Sequence, residues 1–480
     1  MILTLDLGTT VTKAALWEPD GLVALAEVAR STDSPAPGVV EQSSSSWWDS
    51  VVGACAALGA SRPDGLRSVE AVGCTGARQS FGLFGPDGSP VGPGILWADA
   101  RATEEAARLA GAGDHDPLAA GLAPDAASVR AKLAWVAAHR PGELARSAWI
   151  LAPRDLVAWR LTGEVATDVT LASLTGCYDG DGVVVAAVGE PVARRLPPVV
   201  PSDRVTGTVT AAAADRLGLR PGAPVVIGAG DRQCEVLGSG ATDSVPMVSW
   251  GTTVNVSLPV GARPTAVPGG VVVSRSATGG WQLEGGLSAA GSLLAWLGRL
   301  TGRDPGELAD LAAGRPPGAR GVTAVPWLGG ARAPWWRPGA GAGFTGLADA
   351  HDAGDLARAV VEAVARDVQR CLEAMAGRTP PGPAVTGLAL GGGASAPAWV
   401  AALTGVTGLP ARHRRSGRAA SAGAAQLAAR GTGRAWELDR MDPVTGTHGP
   451  DPAAVAAYVG LRPSHDRVAA SLADLGRPCA

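Results

Sequence analysis

The sequence predicts an α/β protein built from two related domains, and three observations carry that reading. Short apolar strands are interleaved with helical stretches in both halves of the chain. A strand, Gly-Thr-Thr, strand pattern occurs twice, half a chain apart. The chain of 480 residues, 46% of them hydrophobic, is long enough to bury more than one core.

Residues 2–7 form an apolar strand that runs into Gly8-Thr9-Thr10, and the strand resumes from Lys13 to Trp17, which predicts a β-hairpin with glycine at the turn. A second turn at Pro19-Asp20-Gly21 leads to a third strand over residues 22–29, completing an antiparallel meander. Ser46-Trp47-Trp48-Asp49 has the S-x-x-D form of a capping box and opens a helix through residue 60. A buried strand is expected at 68–74, with helices at 102–110, 128–138 and 154–161. A strand at 224–227 enters Gly228-Ala229-Gly230-Asp231, and a helix starts near Cys234. Residues 247–256 then repeat the logic of the N-terminus around Gly251-Thr252-Thr253, which places a domain boundary near 240, dividing the chain into 1–240 and 241–480. Long helices are expected at 355–375 and 417–430, and linker-like composition at 314–321 and 377–382.

Charge and cysteine usage exclude several classes of function. A net charge of −3 provides no positive field to gather nucleic acid or an anionic membrane surface. No apolar stretch approaches the roughly 20 residues needed to span a bilayer. The start of the chain has no basic segment and is broken by Asp6, so a secretory signal is not expected and the expected location is cytoplasmic. Six scattered cysteines and six scattered histidines give neither a disulfide framework nor a zinc site. The expected partner is a small molecule, and any self-association is expected to be a homodimer.

Chemistry concentrates at four places. The turn Gly8-Thr9-Thr10 offers N–H groups and hydroxyls to phosphate oxygens, Asp6 can position Mg²⁺ through water, and Lys13, one of only two lysines, adds a compact positive charge. An ordinary hairpin with a solvated Asp6 is the alternative. Gly251-Thr252-Thr253 repeats the first turn, as two turns gripping a nucleotide's phosphates from both sides would require. Gly391-Gly392-Gly393, after the apolar strand at 385–390, is a turn that backbone can bring close to a nucleotide. It also fits G-x-G-x-x-A through Ala396, but Arg412, His413, Arg414 and Arg415 stand where a dinucleotide site places its acidic residue. No G-x-x-x-x-G-K-[ST] occurs. Asp231, just past a buried strand, can act as a general base toward a hydroxyl or can simply cap the following helix.

These motifs resemble those of the FGGY carbohydrate kinases. Asp6-Leu7-Gly8-Thr9-Thr10 is similar to that family's D-x-G-T-[TS] opening, Leu96-Trp97-Ala98-Asp99-Ala100-Arg101 to its L-W-x-D-x-R segment, and Gly330-Ala331-Arg332-Ala333-Pro334 to its G-E-R-x-P segment. Gly343-Phe344-Thr345-Gly346-Leu347, followed after seven residues by Asp355-Leu356-Ala357-Arg358-Ala359, resembles its C-terminal signature. The resemblance implies two actin-like (ribonuclease H-like) domains of the sugar kinase/Hsp70/actin type with an interdomain cleft, using ATP and Mg²⁺. It implies that Asp231 is the catalytic base and that Asp6 and Asp231 serve the metal. Gly8, Thr9, Thr10, Lys13, Gly251, Thr252, Thr253, Gly391, Gly392 and Gly393 would serve the nucleotide. Arg78, Gln79, Trp97, Asp99, Arg101 and Gln233 would line the sugar pocket. The substrate so implied is a pentulose such as xylulose, with glycerol or another polyol as the alternative and a catalytically weak sugar sensor as a reading of another class. Three departures stand out: Gly76-Ala77-Arg78-Gln79-Ser80 in place of the xylulose kinases' G-Q-M-H-G, Ala331 in place of a glutamate, and Arg418-Ala419-Ala420-Ser421 where an acidic residue is usual.

Overall fold

Alternation along the first strand decides how the first sheet is covered. Leu3, Leu5 and Leu7 of β1 (Ile2–Leu7) enter one apolar cluster, while Ile2 enters another on the opposite face. β2 (Val11–Glu18) and β3 (Gly21–Ala29) continue the antiparallel meander. α1 (Ser45–Ser61) covers the leucine face through Trp47, Val51, Ala54, Cys55 and Leu58, which share one side of the helix. The expected capping box is not formed. Ser44, not Ser46, is the N-cap and makes no side-chain cap bond; Ser46 lies inside the first turn, where its hydroxyl donates to the Ser43 carbonyl at 2.6 Å.

The computed structural model describes residues 1–112, 125–267, 269–392 and 396–475. By contact they fall into two units. The first comprises Met1–Gly238, Val273–Trp281 and Arg418–Pro443, and the second Ser239–Val272, Gln282–Gly417 and Val444–Ala480. The division is thus not a single cut near residue 240, because later segments return to the first unit.

In the first unit, β4 (Ala71–Gly76) follows α1. α2 (Val129–His139), α3 (Pro153–Thr162) and the short α4 (Val169–Ala172) precede β5 (Val205–Thr208), β6 (Pro224–Gly230) and α5 (Asp231–Ser239). The six strands are ordered β5-β6-β4-β1-β2-β3, and β6, β4 and β1 are mutually parallel. The returning helix Ala419–Gly431 lies on the second face, where a Cβ on Gly73 would meet the Ala424 carbonyl oxygen at 2.5 Å. Small residues along this helix therefore allow close approach to the sheet.

The second unit repeats this plan. β7 (Met247–Trp250) and β8 (Val254–Val260) form a hairpin, and β9 (Trp281–Leu287) lies beyond β8. α6 (Gly291–Thr301) and α7 (Ala353–Ala376) lead to β10 (Leu388–Gly392), parallel to β7. After α8 (Pro397–Thr407), β11 (Ala411–Arg414) adds in parallel and β12 (Val444–His448) in antiparallel fashion. This sheet has seven strands, with Val272–Arg275 at its edge beyond β9, and the other six, in the order β9-β8-β7-β10-β11-β12, match β3-β2-β1-β4-β6-β5. Neither linker-like stretch joins the units. Ala319 is fully buried in an apolar cluster and the Gly318 N–H donates to Glu362, while Arg378 is buried against the end of α7. Among the described residues no helix is long and apolar enough to cross a membrane.

Candidate active site

Parallel pairing puts three chain segments side by side at one edge of the first sheet. Asp6 pairs with Thr75, Leu7 and Gly230 both pair with Gly76, and the chain leaves these strands toward Gly8, Arg78 and Asp231. This is the carboxyl edge, where α/β proteins bind ligands. Asp231 opens α5, its Oδ1 accepts from the Arg232 N–H at 2.7 Å, and it lies 3.6 Å from Arg78 Nε. The Arg78 side chain lies across Gly230. Asp6 is buried, with Oδ2 3.5 Å from Lys13 Nζ and Oδ1 buried without a hydrogen-bond partner. Burial pushes its carboxyl up to about 6, against the pull of Lys13 and with a further push from the Asp231 charge.

The first turn is clasped from outside the motif. Arg30 donates to the Gly8 carbonyl and to Thr12 Oγ1, and Gln42 Nε2 donates to the Thr9 carbonyl at 2.7 Å. Burial lowers the Arg30 guanidinium to about 10, against the pull of Asp6. Trp97 Nε1 reaches Thr9 Oγ1 at 3.0 Å while its ring remains 40% exposed, so the L-W-x-D-x-R segment touches the turn directly.

Gln79 has φ +58, a left-handed conformation costly for a residue with a Cβ. Its carbonyl accepts from Lys132 Nζ at 3.0 Å, and the same ammonium donates to the Leu96 carbonyl at 2.9 Å. Lys132 is fully buried, and burial lowers it to about 8. One ammonium thereby ties two expected sugar-binding segments together.

Three residues expected to line a sugar pocket do something else. Asp99 is fully buried, its carboxylate taken up by Arg101 and by the Val40 N–H, and Arg101 turns to Glu41 at 2.7 Å. This ion pair shapes the segment from below. Gln233 is 1% exposed and its Nε2 faces Ser274 Oγ at 3.2 Å, so it too is turned inward. Arg78, Gln79 and Trp97 remain at the edge.

In the second unit the Gly251-Thr252-Thr253 turn is held mainly by backbone, with the Ser292 hydroxyl also donating to the Thr252 carbonyl at 2.9 Å. The N–H groups of Ala290 and Ser292 donate to the Thr252 carbonyl at 3.1 Å each, and that of Gly291 donates to the Gly251 carbonyl at 3.1 Å. Trp250 pairs with Gly392, which has φ +63 and where a Cβ would meet the Trp250 carbonyl oxygen at 2.3 Å. Glycine is required there, and Gly391 and Gly392 run beside the turn, while Gly393 lies outside the described residues. Arg412 and Arg414 are strand residues donating to the carbonyls of Gly240 and Ser239. Among the described residues no group of three or more His, Cys, Asp or Glu converges to hold a metal ion. The partnerless Asp6 oxygen, with Asp231 nearby, suits a cation held mainly by phosphate and water.

Sequence reasoning missed Arg30, Gln42 and Lys132, which lie outside every motif. The scarcity of lysine, which drew attention to Lys13, is the one signal by which Lys132 could have been found.

Comparison with known proteins agrees with this architecture. Sequence models of the FGGY family of carbohydrate kinases match residues 1–238 with the N-terminal domain and 247–432 with the C-terminal domain. The xylulose kinase of Escherichia coli (strain K12) is 29% identical, covering 98% of this chain and 98% of its own length. The glycerol kinase of Gloeobacter violaceus is 30% identical over 90% of this chain and 88% of its own. The crystal structure of xylulose kinase from Rhodospirillum rubrum superimposes with a TM-score of 0.88 at 28% identity, covering 98% of each chain.

Proposed function

Because the chain belongs to the FGGY family of carbohydrate kinases, we propose that it transfers the γ-phosphoryl group of ATP to a hydroxyl of a five-carbon ketose, with Asp231 as the base. The observation that carries this reading is the convergence of Asp6, Arg78 and Asp231 at the adjacent carboxyl ends of β1, β4 and β6. Arg78, Gln79 and Trp97 orient the sugar. Asp231 accepts the proton of the attacking hydroxyl as its oxygen bonds to the γ-phosphorus and the bond to the leaving ADP oxygen breaks. The N–H groups and hydroxyls of the turn at Gly8, Thr9 and Thr10, and of that at Gly251, Thr252 and Thr253, hold phosphate oxygens, with Gly391 and Gly392 admitting the nucleotide closely. Asp6 would hold Mg²⁺, which when bound would supply charge neutralisation at the phosphates; Lys13 is paired with Asp6.

Similarity to xylulose kinases supports the ketose. The pairing of Arg78 with Asp231, in a segment that departs from the xylulose kinases, favours a second reading in which the acceptor is glycerol or another small polyol.

The test is ADP release with Mg²⁺-ATP against xylulose, ribulose, glycerol, erythritol and gluconate, with Asp231→Ala as the blank. Turnover with one acceptor is expected, reduced in the variant by about a hundredfold to ten-thousandfold while ATP binding persists. Undiminished turnover in Asp231→Ala would refute the assignment of the base.

A further inference from the structure

Asp231 follows an irregular strand, and the irregularity is held by a buried polar network outside every recognised motif. Between the pairs Val226–Gly73 and Ala229–Thr75, β6 inserts Ile227 and Gly228 opposite the single residue Cys74. This is a β-bulge, and a bulge re-aims the residues beyond it. Gly228 takes φ +74, and a Cβ there would lie 1.6 Å from the Cys74 carbonyl oxygen.

A bulge removes backbone groups from the ladder, and each must find another partner. The Ile227 N–H donates to the Arg204 carbonyl at 3.1 Å and the Gly228 N–H to that of Ser202 at 2.9 Å. The carbonyls of Ile227 and Gly228 themselves both accept from Arg154 Nη1, at 2.8 Å each. Arg154 is fully buried, with Nη2 on Asp168 Oδ1 and Nε on Asp155 Oδ1, both at 2.8 Å. Asp168 also accepts from Thr170 Oγ1 at 2.7 Å and Ser202 Oγ at 2.6 Å, and Thr170 Oγ1 in turn accepts the Gly230 N–H at 2.9 Å. One guanidinium and one hydroxyl thus hold the strand on both sides of its kink, up to the residue before Asp231.

We propose that Arg154, Asp168 and Thr170 are positioning residues for Asp231: they fix the bulge in β6 and so set where its carboxylate stands. The proposal rests on the reading of Asp231 as the base. The network does not touch a ligand and acts only through the backbone of residues 227–230.

Thr170→Val keeps the volume of the side chain and removes the hydroxyl. It is expected to lower kcat by about tenfold to a hundredfold, as a displacement near 1 Å of a reacting group does, with KM for ATP within about twofold and the thermal unfolding transition retained. Thr170→Ser, which restores the hydroxyl, is expected to recover kcat to within about threefold. In an Asp231→Asn background, Thr170→Val is expected to change the residual rate by less than about twofold, since two residues acting as a unit are not additive. If Thr170→Val does not fold, Thr170→Ala, which leaves room for a water, takes its place with the same thresholds. An inactive Asp231→Asn alongside a Thr170→Val enzyme of normal kcat would overturn this proposal alone. An active Asp231→Asn would overturn both the base assignment and the proposal, and equal losses from Thr170→Val in both backgrounds would show a merely structural role.

Discussion

The two Gly-Thr-Thr turns stand at the same place in two sheets that share six strands in the same order, and they are held by different mixtures of donors. Two residues before the first glycine is Asp6, a buried carboxylate beside Lys13; two residues before the second is Ser249, a neutral hydroxyl. The first turn's carbonyls at Gly8 and Thr9 are clasped by the side chains of Arg30 and Gln42, with the Arg30 N–H on the Thr10 carbonyl, whereas the second is clasped mainly by backbone N–H groups at the start of α6, with the Ser292 hydroxyl beside them. The contrast extends along the edge. In the first unit the strand beyond the central parallel pair ends at Gly230 and leads into Asp231, and its counterpart in the second ends at Arg414 and leads into Arg415. A shared topology delivers a turn to the edge of a sheet, and one or two side chains then decide whether that edge carries negative charge or accepts it.

Asp6→Asn tests this contrast with the largest expected effect. It should lower kcat by about a hundredfold if the first turn works through its carboxylate. Stability should move the other way. With its carboxyl raised to about 6, the folded protein binds the Asp6 proton more tightly than the unfolded chain does, so ionising it costs stability as pH rises through that value. The cost is on the order of 3 kcal/mol at pH 8 and absent below about pH 4. The ligand-free variant is therefore expected to melt above the wild type at pH 8, with the gap closing as pH falls, measured by calorimetry across that range. A variant that melts no higher at pH 8 would mean that the buried charge carries no such cost.

Gly291→Val tests the backbone clasp of the second turn. A Cβ at this position would lie 2.8 Å from the Gly251 carbonyl oxygen, so the turn must shift. KM for ATP should rise about tenfold, a loss of about 1.4 kcal/mol, with KM for the sugar unchanged; an unchanged KM for ATP would remove the second turn from nucleotide binding. Lys132→Met tests whether reliance on buried charge extends to the sugar side. It leaves the carbonyls of Gln79 and Leu96 without their donor, at about 1–3 kcal/mol each. The expected result is a rise of about tenfold in KM for the sugar and no change for ATP; equal changes in both would point to general destabilisation. Ser249→Ala should be the mildest, within about threefold of wild-type kcat; a loss matching that of Asp6→Asn would erase the distinction between the turns.

The hairpins, the helices at α1, α3 and α7 and the repeat between halves were legible because strand alternation, helical spacing and glycine turns are local signals. Asp6, Arg78 and Asp231 were legible as motif residues. Arg30, Gln42, Lys132 and Arg154 were not, because each acts on backbone 21 to 74 residues away in the chain, and spacing says nothing about which carbonyl a distant side chain will find. Asp99 and Gln233 were read as facing a ligand since a motif match gives a residue's position in the chain but not the direction of its side chain. The division near residue 240 followed the repeat, yet helix Ala419–Gly431 packs on the first sheet, with Ser421 Oγ 2.6 Å from Thr4 Oγ1 and 2.8 Å from Trp17 Nε1.

That returning helix governs the order in which the protein can be made. Ala422, Ala424, Ala425 and Ala428 close the face of the first sheet formed by Ile2, Ala71, Val226 and Ala229. During synthesis that face stays bare until the ribosome has released the chain past residue 431, long after the second unit's hairpin has emerged. The first unit to be translated is thus among the last parts to be sealed, and a ribosome that stalls between residues 240 and 418 holds a nascent chain presenting an open apolar sheet to the chaperones around it.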